Sequence, residues 1–217
     1  YGSAVDMSLR GRVLAFLSLL LLSGSLCFSQ FGIMAYDSEM VGSLNFMLFL
    51  IPVVIAVVML GAIPGICLAF ATGLLIMFRA QWTPTSMYDT QMADPFLSVV
   101  SITLAAMVMS IVVIPAARRW PPDYARGLKP WERISPIRYV SIAIGCLVFA
   151  LVFSYGTRGL MYLFVTPGGE EYGYATTIAE YQASMQSPLV FIEALINAVI
   201  FTIACAIPVT HDANRCS

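Results

Sequence analysis

The sequence predicts an all-α, polytopic membrane bundle of six transmembrane helices with both ends in the cytoplasm. Three observations predict it. Hydrophobic residues make up 59% of the 217 positions, charged residues only 11%, and mean hydropathy is +0.86, whereas a soluble domain carries about 25% charged residues. A single core of this length does not hide that much apolar surface, so lipid must cover part of it. The apolar residues also fall into runs of the length that crosses a bilayer, about 20 residues. Finally, the charges between those runs are segregated by sign.

The expected helices are 13–35, 42–60, 64–78, 95–114, 136–165 and 188–208. The first follows Arg10 and Arg12. Ser23-Gly24-Ser25 resembles a signal-peptide cleavage site, but the apolar run continues through Phe28, Phe31, Ile33 and Met34, so the segment reads as an anchor. Pro52 is expected to kink the second helix. Gly61-Ala62-Ile63-Pro64 forms the turn into the third. Asp94-Pro95, Ser135-Pro136 and Ser187-Pro188 open the last three. A side-chain oxygen there caps free amides, and proline at the first helical position has no amide to satisfy. Residues 1–6 precede Met7 and read as an expression scar, and the chain is expected to be cut before a cytoplasmic domain.

Orientation follows from the cations. Nine of the eleven Lys and Arg residues (Arg10, Arg12, Arg118, Arg119, Arg126, Lys129, Arg133, Arg138 and Arg215) fall on one side of this arrangement. The opposite loops hold Asp37, Glu39, Asp89, Asp94, Glu170, Glu171 and Glu180, with Arg79 near them. The positive-inside rule assigns the first set to the cytoplasm. The aromatics of the inner loop, Trp120, Tyr124 and Trp131, are read as interfacial anchors, with a docking surface for a cytoplasmic partner as the alternative.

Few residues suit chemistry. No nucleophile–base set, phosphate loop or paired-carboxylate motif is present, so the chain is not expected to be an enzyme. The five cysteines show no paired spacing and no neighbouring histidine, and the lone His211 follows the last helix; no metal and no cofactor are expected. No basic tract points to nucleic acid. Two charges lie inside apolar runs, Arg158 and Glu193, both in the outer half. Such groups face the bundle interior or a wet cavity. They read either as a structural ion pair or as polar contacts in a pocket opening outward, where Asn197, one turn after Glu193, extends the same face. The loop 166–186 carries Tyr172 and Tyr174 and would close over a small ligand, with Tyr155 beneath it.

Gly61, Gly65, Ala69 and Gly73 recur at four-residue spacing, so small groups line one helix face. They read as intramolecular packing, as a dimer seam, or as the wall of a ligand site.

The stretch from Gly61 to Arg79, a glycine-stepped helix ending in arginine, resembles five-helix membrane sensor domains at the input end of bacterial histidine kinases. With Asp94-Pro95 opening the next helix, it is also similar to the substrate-binding S components of energy-coupling factor vitamin transporters. The first helix lacks the small-residue face that S components use for docking, and the inner loop 117–134 is longer than theirs. The resemblance therefore implies a sensory input domain in a bacterial inner membrane, with the S component as the alternative and a structural subunit as a third reading. The partners implied are the lipid bilayer, a small molecule from the outer side, and a second copy or a cytoplasmic output or coupling partner.

Overall fold

The computed structural model describes residues 9–29, 31–38, 42–83, 92–120, 134–163 and 187–215. Six α-helices are described: α1 (Leu9–Cys27), α2 (Ile51–Met59), α3 (Ala62–Trp82), α4 (Ser101–Arg119), α5 (Pro136–Leu163) and α6 (Pro188–Arg215). Five helical segments are long and apolar enough to cross a membrane, with mean hydropathy from 1.5 to 2.6 over the best window of each. Their outward faces are apolar too: Leu14, Leu21, Ile111, Val140, Ile203 and Ile207 are all exposed. Water would not tolerate a continuous surface of this kind, and acyl chains would.

The expected second span is the main correction. Residues 33–47 form an antiparallel hairpin, β1 (Ile33–Ser38) and β2 (Gly42–Met47), with Ile33 opposite Met47 and Ser38 opposite Gly42. The first helix accordingly stops at Cys27 rather than at residue 35. A reversal follows it, and an added Cβ at Gly32 would run into the Leu26 carbonyl. The second helix starts only at a 3-10 turn, Leu48–Leu50, instead of at residue 42. The apolar helical stretch Leu48–Met59 is too short for a span, reaching about 18 Å where about 30 Å is needed.

This shortest helix lies deepest. Val53, Val54, Ala56 and Val57 are fully buried, and α2 touches α1, α3, α4 and α6. Gly61, at φ 100° and ψ −174°, turns the chain from α2 into α3, a conformation costing about 1–3 kcal/mol for a residue with a Cβ. Val57 on α2 packs against Gly65, so the two helices run back along each other.

Three of the remaining helices run further than expected, and α5 is described from Pro136 to Leu163. α3 continues to Trp82, α4 passes through Pro115 to Arg119, and α6 passes through Pro208 to Arg215. Proline at the helix start recurs where the sequence placed it: α5 begins at Pro136 and α6 at Pro188. Asp94 accepts a hydrogen bond from the Phe96 amide at 2.7 Å. The turn after it is a π-helix, Phe96–Val100, which leads into α4.

Candidate functional site

A hairpin has two edges, and each presents amides and carbonyls that need partners. In a strand, residues i and i+2 share an edge, so Asn45 and Met47 face the same way. That edge of β2 is closed by side chains of α6. Asn197 Oδ1 accepts from the Met47 amide at 3.0 Å, and Asn197 Nδ2 donates to the Asn45 carbonyl at 3.0 Å. The same Nδ2 donates to the Glu193 carbonyl at 3.0 Å, one turn back on its own helix. Glu193 Oε2 accepts from the Asn45 amide at 3.3 Å and from Asn45 Nδ2 at 3.5 Å.

The fit is one of register. Four residues along a helix rise about 6 Å, and two residues along a strand rise about 6.6 Å. Glu193 and Asn197 therefore meet Asn45 and Met47 at nearly matched spacing, and the pair stands in for a third strand. Asparagine suits this position because it offers an acceptor and two donors on a short arm. Both side chains are buried, Glu193 at 4% and Asn197 at 2% exposure.

The expected site residues divide as follows. Glu193 and Asn197 share a face and are brought together at the hairpin. Tyr155 is half-buried on α5, and an added Cβ at the next residue, Gly156, would meet nothing within 4 Å. Arg158 lies on α5, but its side chain is outside the described residues, as are Tyr172 and Tyr174. Asn45 belongs to this site and escaped sequence reasoning. It sits in a stretch that hydropathy reads as helix, where one asparagine draws no notice. Its signal was that 42–47 alternates and carries glycine at its start, which suits a strand as well as a helix.

The small-residue face of α3 meets two different neighbours rather than one seam. Gly65 meets α2, where an added Cβ would lie 2.8 Å from Val57 Cα. Gly73 meets the π-turn, where an added Cβ would lie 2.6 Å from Val99 Cα and 3.1 Å from the Ser98 carbonyl oxygen. Ala69 between them is fully buried. Beside Gly73, Thr72 shares a 2.7 Å hydrogen bond with Ser23 of α1, both hydroxyls being fully buried.

Between α5 and α6 runs a groove of about 290 Å³, lined by Ala143, Leu147, Leu195, Ala198, Val199, Thr202 and Ile203. Its lining is almost wholly apolar. Among the described residues, no group of three His, Cys, Asp or Glu side chains converges to hold a metal ion. The chain matches no known family pattern and no curated protein sequence.

Proposed function

We propose that this chain is a multi-pass membrane protein, with both ends in the cytoplasm and its second crossing made by β2 and α2 together, that serves as the sensory input domain of a bacterial signalling protein. The observation that carries this reading is the attachment of the hairpin to α6. Glu193 and Asn197 hold the hairpin at one end of that helix, and α6 continues without interruption to Arg215. With the charge asymmetry setting orientation, the hairpin end faces outward and Arg215 faces the cytoplasm. A small ligand that shifts the hairpin would move one continuous helix that crosses the bilayer. A hairpin held by a few polar contacts is an element with two arrangements available to it, docked and released.

The test is a chimera in which a histidine-kinase output domain continues from Arg215 in helical register. Asn197→Leu removes the hairpin's side-chain partner and should change phosphorylation severalfold relative to the unsubstituted chimera. Equal phosphorylation in the two, with both inserted to the same level, would overturn the sensor reading.

One observation favours the transporter S component instead. α1 lies at the periphery, with Val13, Leu14, Leu17 and Leu21 exposed and only Ser23 and Cys27 buried. A coupling subunit could cover that free side. Vitamin uptake by cells that co-express the chain with the coupling and ATPase subunits would distinguish this reading from signalling.

A further inference from the structure

Two of the four described cysteines meet each other across the α5–α6 interface. Phe149 of α5 and Phe201 of α6 pack edge to face, with ring centroids 5.8 Å apart and planes at 82°. The helices run antiparallel here, so one turn back on α5 and one turn on along α6 must face each other at the next level. Those positions are Cys146 and Cys205. Their side chains lie close enough to interact, and Thr202 approaches Cys146 as well. Both cysteines are fully buried. The Thr202 hydroxyl donates to the Ala198 carbonyl at 2.7 Å, and Thr202 also lines the groove between the two helices. The thiols thus lie one side chain behind a laterally open, apolar groove.

We propose that Cys146 and Cys205 form a two-coordinate site for a monovalent thiophilic cation of the Cu(I) or Ag(I) class. Three arguments select that class. Thiolates are soft ligands and favour soft d10 ions over magnesium, calcium or manganese. Zinc would need about four ligands, and no third His, Cys, Asp or Glu converges here among the described residues. Charge decides the rest. One cation replaces one thiol proton, which leaves to solvent, so a thiolate–metal–thiol unit carries no net charge. A divalent ion on the same two sulfurs is neutral only once both thiols have lost their protons, and two donors still leave zinc short of the about four ligands it takes. The site stands apart from the sensing proposal, since it uses neither the hairpin nor Glu193.

The test is a Cu(I) titration of the full chain in detergent under reducing, oxygen-free conditions, against a coloured Cu(I)-specific chelator. One equivalent per chain should be withdrawn from the chelator. Cys146→Ser and Cys205→Ser should each lose it, and Cys67→Ser, which removes an exposed thiol, should keep it. X-ray absorption of the loaded wild-type protein should show sulfur-only coordination with two neighbours, a reading that requires no variant to fold. The proposal is overturned by the absence of uptake in the wild type, by uptake surviving in the Cys146→Ser/Cys205→Ser double variant, by loss in Cys67→Ser, or by nitrogen or oxygen neighbours around the metal.

Discussion

Asn197 of α6 donates its side-chain amide to the main-chain carbonyl of Asn45, at 3.0 Å and across 152 residues of sequence. The same side chain accepts from the Met47 amide. One residue thus meets two positions on the edge of β2. In an apolar interior each unsatisfied group costs about 1–3 kcal/mol. Asn197→Leu should therefore lower the thermal unfolding midpoint in detergent by several degrees. Asn197→Asp keeps the acceptor for Met47 but sets a buried carboxylate against the Asn45 and Glu193 carbonyls, and should fall at least as far as leucine. An unchanged midpoint for leucine would show that the hairpin does not depend on this contact.

Glu193 offers a sharper comparison. It accepts from the Asn45 amide and side chain, and a glutamine oxygen accepts equally well. If these bonds are its whole role, Glu193→Gln should keep nearly full stability while Glu193→Leu loses about 1–3 kcal/mol. If the charge itself is paired, Gln should be as damaging as Leu, and Arg158→Gln should show the same loss. In that case the double Glu193→Gln/Arg158→Gln should recover part of it, because an unpaired buried charge costs more than none. Thermal midpoints of the four variants read out which case holds.

The glycine face of α3 predicts a graded series. Gly65→Ala and Gly73→Ala each place a Cβ within 3 Å of another segment's main chain, which yields less readily than a side chain. Each should destabilise by about 1–3 kcal/mol through overpacking. Gly156→Ala on α5 meets open space and should be neutral or slightly stabilising, since alanine is the better helix former. Equal effects at all three positions would show that helix propensity, not close approach, decides them.

Orientation is tested by labelling single cysteines in sealed cells, on a background lacking the native cysteines, with a reagent that does not cross membranes. Substitutions at Asp89 and Glu170 should react, and one at Lys129 should not. Reaction at the Lys129 position would invert the assignment that the positive-inside rule makes.

The buried hydroxyl pair, Ser23 and Thr72, joins α1 to α3. Thr72→Val leaves Ser23 without this partner and should cost about 1 kcal/mol. Ser23→Ala with Thr72→Val removes both partners and should cost less than the sum of the singles. Additive losses in the thermal midpoints would show that the two hydroxyls act independently.

What the sequence by itself determined is the class of the chain and the places where most helices start. Both depend on local chemistry. Apolar runs of sufficient length have few other stable environments, and the Asp94, Pro136 and Pro188 starts are set by capping and by the missing proline amide. The sequence likewise put Glu193 and Asn197 on one face of α6, because helical periodicity is local. It did not determine the fate of residues 33–60. Their hydropathy suits a helix or a buried strand equally, and Ile51, Val53, Val54 and Ile55 would sit well in either. Tertiary structure decided it. The hairpin stands where a partner for its open edge exists, and that partner is a glutamate and an asparagine 148 to 152 residues further along the chain. The facing of Cys146 and Cys205 has the same origin. Each lies in an ordinary apolar run, and only the antiparallel packing of α5 on α6, marked by the Phe149–Phe201 contact, brings the two sulfurs together.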